Sequence, residues 1–180
     1  MKRFIVMALA VMPLTLWGYP LDDFHGIVFS PGVVFGQFES SDSSTGGLDS
    51  LSLSFAKPFT PYMSLRVDYA NGVSGDGKAM KEENGKLDVD YIWSAFTKFN
   101  YGSEWSQFYG LLGYSYAGFQ TDADPESEDA YLYSDSSPSW GVGTSMKVYD
   151  ETMLSLEYIS YISGGDVDFS AFGVRFELEF

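Results

Sequence analysis

Phe172-Gly173-Val174-Arg175-Phe176-Glu177-Leu178-Glu179-Phe180 alternates without a break. Phe172, Val174, Phe176, Leu178 and Phe180 occupy one set of positions; Gly173, Arg175, Glu177 and Glu179 occupy the other. A period of two is the mark of a β-strand with one apolar and one polar face. The pattern recurs upstream. Leu51, Leu53 and Phe55 alternate with Ser50, Ser52 and Ser54, and Met63, Leu65, Val67 and Tyr69 alternate with Ser64, Arg66 and Asp68. Around 139–149, Trp140, Val142, Met146 and Val148 oppose Gly141, Gly143, Ser145 and Lys147.

Four less regular segments complete a set of eight. Residues 27–38 put Phe29, Val33 and Phe35 opposite Ser30, Gly32 and Gly36, with Pro31 on the apolar side. Residues 87–99 set Val89, Tyr91, Trp93 and Phe99 against Asp88, Asp90, Ser94 and Lys98. Residues 153–162 set Leu154, Leu156 and Tyr158 against Ser155 and Glu157. Within 105–119 the adjacent Leu111 and Leu112 break the alternation, and a bulge is expected there.

The connections sort by length. Lys57–Pro61, Asn100–Glu104 and Tyr149–Glu151 are short, whereas Glu39–Gly47, Asn71–Lys86, Gln120–Pro138 and Ser163–Asp168 are longer, polar and mostly acidic. In an eight-stranded meander all the short turns fall at one end with both termini, and all the long loops at the other. Outer-membrane barrels show this asymmetry, with short periplasmic turns and long extracellular loops. About ten residues at about 3.3 Å each, tilted by about 45°, rise roughly 23 Å, the height of such a barrel's apolar band. Aromatic residues gather at segment ends: Phe59, Tyr62, Phe99, Tyr101, Trp105, Tyr149 and Phe180 at the short-turn end, and Tyr69, Tyr131, Tyr133 and Tyr161 toward the other. Two interfacial girdles are the expected meaning. The fold class read here is all-β, an eight-stranded antiparallel up-and-down transmembrane β-barrel.

Composition agrees. Aromatic residues make up 18% of the 180 residues, charged residues only 19%, and there are 19 glycines. The formal charge of -15 leaves no basic face for phosphate neutralisation, so no nucleic-acid partner is expected. The absence of cysteine removes disulfide scaffolds, thiolate metal sites and thiol nucleophiles together. At the N-terminus, Lys2 and Arg3 precede an apolar run from Phe4 to Trp17, too short for a membrane helix. Residues 1–18 therefore read as a secretory signal peptide, cut after Gly18 or within a residue or two of it, and 19–180 as the barrel domain.

Arg175-Phe176-Glu177-Leu178-Glu179-Phe180 resembles the C-terminal signature of bacterial outer-membrane proteins, an alternating strand ending in phenylalanine. Trp140-Gly141-Val142-Gly143 is similar to the interior-facing glycine strands of the small OmpA/OmpX-like barrels. The resemblance spans 26–180. It implies residence in the bacterial cell outer membrane, among its lipids and lipopolysaccharide. It also implies Phe180 as an assembly signal, read by the barrel-assembly machinery after periplasmic chaperones. It does not extend to the peptidoglycan-binding domain that follows the barrel in OmpA, so cell-wall anchoring is not expected.

With the apolar parity facing lipid, Arg66, Asp68, Asp88, Asp90, Lys98, Lys147, Glu157, Arg175, Glu177 and Glu179 point inward. An Arg or Lys on the lipid face would cost about 2–4 kcal/mol at the midplane, which makes inward placement the consistent one. Arg66, Lys98, Lys147 and Arg175 are then expected to pair with carboxylates, Glu157 and Glu177 first. Eight strands leave room inside for side chains and little more, so a structural ion-pair plug is favoured over a narrow porin-like channel.

No chemistry-bearing motif survives inspection. Asp122 and Asp124 open like a calcium loop, yet the sixth position is Ser127 and the twelfth Tyr133. Gly72 to Lys78 matches the start of a phosphate loop, but Ala79 stands where Ser or Thr is needed. The single histidine, His25, precedes the first strand beside Asp22 and Asp23, away from any rim nucleophile. No catalytic residue, metal or cofactor is expected, and no enzymatic activity. The expected role is structural or interactive, through long acidic extracellular loops and a surface partner. The exported protein should fractionate with the outer membrane, begin near residue 19 by mass spectrometry, and migrate anomalously on a gel unless boiled. Recovery in the soluble periplasmic fraction would overturn the reading.

Overall fold

The computed structural model describes residues 26–40, 45–73, 86–122, 132–163 and 167–180. Eight strands follow one another: β1 (Val28–Ser40), β2 (Thr45–Thr60), β3 (Met63–Val73), β4 (Lys86–Gly102), β5 (Ser106–Asp122), β6 (Leu132–Tyr149), β7 (Thr152–Ile162) and β8 (Val167–Glu179). Each pairs antiparallel with the next, and β1 closes on β8. The expected eight-stranded up-and-down barrel is what forms. The proposed signal peptide, residues 1–18, and His25 lie outside the described residues.

Turns 61–62, 103–105 and 150–151 share one end of the barrel with the start of β1 and the end of β8, where Ile27 and Phe180 exchange two backbone hydrogen bonds of 3.2 Å. Gly102 leads β4 into its turn at φ 148°, a conformation side-chain-bearing residues rarely adopt. At the opposite end the strands run further than the alternation implied. β2 starts at Thr45 and β6 at Leu132, so the connections shrink to 41–44, 74–85, 123–131 and 163–166. Alternation records only where one face meets lipid, whereas backbone pairing continues wherever a neighbouring strand is present.

The outward face carries Leu51, Leu53, Phe55, Leu65, Val67, Val142, Phe172 and Phe176, all exposed. Ser50, Ser52, Ser54, Ser64, Ser115, Ser139, Ser145 and Ser155 are buried on the inward one. In an aqueous protein that arrangement would be inverted; in a bilayer it is the required one. The bulge expected at Leu111-Leu112 is absent: β4 and β5 stay in register through Lys98↔Leu111 and Thr97↔Leu112. Leu111 is 1% exposed and Leu112 60%, because the interior has an apolar region that accepts a leucine. The bulge in this pair falls instead between Val89 and Tyr91.

Two substitutions on β2 separate the faces. Leu53→Arg should lower stability in vesicles by about 2–4 kcal/mol, the midplane cost of a lipid-facing cation. Ser52→Ala, removing a buried hydroxyl with no partner among the described residues, should cost less than about 1 kcal/mol. Urea titration of both variants in vesicles measures the difference; equal losses would contradict the facing.

Candidate functional site: the charged interior and the upper rim

Five strands deliver one buried cluster. Arg66 and Asp68 lie two residues apart on β3 and so share the inward face. Arg66 grips Asp68 through two hydrogen bonds of 2.7 Å, donated by Nε and Nη2. Its Nη1 and Nη2 also donate to Glu157 of β7 at 2.6 and 2.8 Å. Arg175 of β8 approaches Glu157 from the other side, donating from Nε, and donates from Nη1 to Ser54 Oγ at 2.6 Å. The Tyr109 hydroxyl supplies a further donor to Glu157, at 3.0 Å. Two guanidiniums and two carboxylates thus compensate one another, each side chain at most 4% exposed.

A second pair lies toward the short-turn end. Lys98 Nζ donates to both oxygens of Glu177 at 3.0 and 3.1 Å, and sits 4.2 Å from the centre of the Tyr109 ring. Ser145 Oγ donates to Glu177 at 3.2 Å. Tyr109 therefore bridges the two groups, and the backbone of β6 must let its ring pass. A Cβ on Gly143 would collide with the phenol, and one on Gly32 would collide with Arg175. These glycines are small because the charged side chains lie across them.

The remaining sequence candidates go elsewhere. Lys147 makes no ion pair among the described residues; its ammonium lies 5.7 Å from the centre of the Trp105 ring, at the short-turn end. The strand end at Tyr149, where the β6–β7 register shifts, puts that long side chain within reach of the turn instead of the lumen. Glu179 is exposed at the mouth, and Phe180 is exposed beside it. Asp88 and Asp90 fall on β4 above its last rung with β3, Asn71↔Tyr91, and their side chains lie outside the described residues. Tyr161, expected in the upper girdle, is 2% exposed inside the barrel. Its odd position on β7 gives it the parity of Glu157.

The upper interior is apolar, a feature the inward charges concealed. Tyr161 stacks on Phe169 at 5.7 Å and meets Phe96 edge-on at 6.5 Å, with Ile159, Ile162 and Leu111 buried in the same cluster. Beside it Ser94, Ser115 and Ser139 form a hydroxyl chain with links of 2.7 and 2.6 Å. Below, a cavity of about 270 Å³ opens at the short-turn end, lined by Asn100, Gln107, Lys98 and Glu177 and reaching Arg66. Beyond Arg66 stand the charged cluster and then the aromatic one. Among the described residues no group of three or more His, Cys, Asp or Glu is placed to hold a metal. The calcium-like stretch 122–133 lies mostly outside the described residues.

An apolar exterior and a lumen that gathers the buried charges are the marks of a barrel built for a bilayer. Residues 8–180 match the model of the family described as Outer membrane protein beta-barrel domain. The chain belongs to this family. It is a bacterial outer-membrane β-barrel. Among solved structures it resembles Ail, the attachment invasion locus protein of Yersinia pestis, at 17% identity and a TM-score of 0.63, over 86% of this chain and 98% of Ail. It resembles Neisserial surface protein A (NspA) at 14% and 0.64, over 87% of this chain and 99% of NspA. The N-terminal barrel of Pseudomonas aeruginosa OprF gives 10% and 0.61, over 86% and 97%. At these identities the likeness carries the fold alone. Ail has also been solved in complex with the heparin analogue sucrose octasulfate. No curated protein matches this chain in sequence.

Removing one member of the cluster exposes its balance. Glu157→Ala leaves Arg66 and Arg175 facing each other with only Asp68 between them, and should cost about 3–5 kcal/mol in vesicle unfolding. Lys147→Ala loses only a contact with Trp105 and should cost about 1 kcal/mol or less. A Lys147 variant as unstable as the Glu157 variant would contradict the assignment.

Proposed function

We propose that this outer-membrane barrel serves as a structural and surface-interaction protein whose working face is its acidic extracellular loops, the lumen being a side-chain plug. The observation that carries this reading is the closed pairing of Arg66, Arg175 and Lys98 with Asp68, Glu157 and Glu177. Every buried cation in that set already has its counter-charge, so none is left to select a passing solute. The aromatic cluster above it supports the same conclusion, since conduction would have to move Tyr161, Phe169 and Phe96 together. The alternative, a narrow channel, draws support from the cavity at the short-turn end, which ends at Arg66.

Charge argues for the kind of partner. Between Gln120 and Ser137 lie Asp122, Asp124, Glu126, Glu128, Asp129 and Asp135, and no base. A polysulfated ligand of the type bound to Ail would meet repulsion here, so a cationic partner fits this chain better. Lipid hydrocarbon surrounds the apolar band, and lipopolysaccharide is its outer-leaflet neighbour in this reading. Phe180, exposed at the free end of β8, is the residue we infer the assembly machinery and its chaperones to engage. No catalytic role is proposed.

Purified protein in planar bilayers should be electrically silent; steady open channels would sink the plug. Intact cells displaying the protein should bind a fluorescent lysine-rich probe. Neutralising Asp122, Asp124, Glu126, Glu128 and Asp129 to amides should remove most of that binding, with outer-membrane levels unchanged.

A further inference from the structure

At the short-turn end the lumen is hollow. The cavity of about 270 Å³ below the charged cluster adjoins a groove of about 550 Å³ between turns 61–62 and 103–105. Pro61, Asn100 and Gln107 line both, so the groove is the entrance and the cavity its inner end. Joined, they fall in the size range of small-molecule sites, about 300–1,000 Å³. Side chains close the inner end. Arg66 and the Lys98–Glu177 pair line it, with the rest of the ion cluster and then the Tyr161, Phe169 and Phe96 rings beyond. The space is a pocket that opens at the short-turn end, the periplasmic side of an outer-membrane barrel.

One lining atom is out of balance. Asn100 lies on β4 two residues from Lys98 and shares its inward face. Its backbone N–H donates to the Tyr62 carbonyl at 2.8 Å, which ties the end of β4 to the 61–62 turn. Its side-chain Oδ1 is buried and has no hydrogen-bond partner among the described residues. An unpaired buried acceptor costs about 1–3 kcal/mol, a cost that a donor arriving in the cavity would recover.

Charge and shape narrow the donor. Glu104 lines the groove and Glu179 the cavity; both are exposed, and an anion would have to pass them. Lys147 lines neither space. A cation would end against Arg66 and Lys98, whose carboxylates are already taken. Glu177 holds Lys98 through both oxygens and receives Ser145 as well. What remains is uncharged: the Asn100 and Gln107 amides, the Thr60 and Ser64 hydroxyls, and exposed Tyr62 and Trp105 at the lip. Amides and hydroxyls suit a ligand that donates and accepts at many points. Aromatic rings at the lip suit one that also has C–H faces, because the face of such a ring is negative and C–H edges are positive. Hydroxyl groups set around a ring with C–H faces describe a sugar.

We propose that the short-turn mouth of the barrel binds one uncharged sugar ring, Asn100 Oδ1 accepting from a sugar hydroxyl and Trp105 and Tyr62 flanking the C–H faces. The site takes the side-chain plug as its floor and is otherwise independent of the extracellular loops. A free sugar and the end of a glycan chain present the same ring, and the open groove admits either.

The test uses the full mature protein in nanodiscs, labelled with 5-fluorotryptophan. Residues 19–180 contain Trp93, Trp105 and Trp140, and of these Trp105 alone lies at the short-turn end. Titration with glucose, N-acetylglucosamine, maltotriose and chitotriose should move the Trp105 fluorine resonance saturably and leave the other two in place. Tighter binding of the trisaccharides supports the site with a chain end as occupant, and equal binding supports it with a free sugar. Asn100→Leu should weaken binding about tenfold, the worth of a hydrogen bond to a buried acceptor. It should not lower stability to urea, since it removes an unpaired buried oxygen; unchanged heat-modifiable mobility verifies its fold. A variant that loses stability but binds as before would make Asn100 structural and overturn the proposal. So would a Trp105 shift driven by lysine or inorganic phosphate and by no sugar, or no Trp105 shift with any of the four sugars, which would leave water as the partner of Asn100. Failure of the plug reads out separately, as open channels in planar bilayers.

Discussion

Hydrocarbon offers no partner to a backbone N–H or C=O, and each such group left unpaired in it costs several kcal/mol. A sheet in the bilayer must therefore close, and here β1 closes on β8, while Ile27 and Phe180 extend that pairing past the two strand ends. Closure with eight strands sets the lumen to about the width of filled side chains. Whatever polar side chains the alternation sends inward must then satisfy one another in that space. Glu157 meets this demand most fully, taking donors from Arg66, Arg175 and Tyr109 at once.

Such a cluster is a poor source of net stability, because desolvating the ions offsets much of their attraction. Its stronger effect is on register. A slip of one residue on β3 would carry Arg66 and Asp68 to the lipid face and Leu65 and Val67 into the lumen. On β8 the same slip would move Arg175 and Glu177. Four charged side chains on two strands thus penalise alternatives that backbone pairing alone would tolerate.

Much of this was legible in residue order. Alternation located the membrane-crossing segments other than 105–119, where it breaks, and the inward parity of Arg66, Asp68, Lys98, Glu157, Arg175 and Glu177 followed from the outward parity of their neighbours. Errors arose where one strand could not be judged alone. Leu111 looked like a break because the apolar cluster that receives it comes from β4, β7 and β8. Tyr161 looked like a belt residue because aromatic rings serve both interfaces and cores, and only the partners Phe96 and Phe169 distinguish them. Tyr109 was passed over as a bridge for the same reason.

By itself the sequence determined the solvent of each face, the antiparallel order and the end at which the long connections gather. These are properties of one strand and its immediate neighbours, written in a period of two and in turn length. Tertiary structure alone decided which cation meets which carboxylate, that Lys147 goes to Trp105, and how far each strand outlasts its neighbour. Those depend on strand stagger around a closed barrel, which brings Arg66 and Glu157 together across 91 positions of chain. Local pattern cannot encode a distance that exists only after closure.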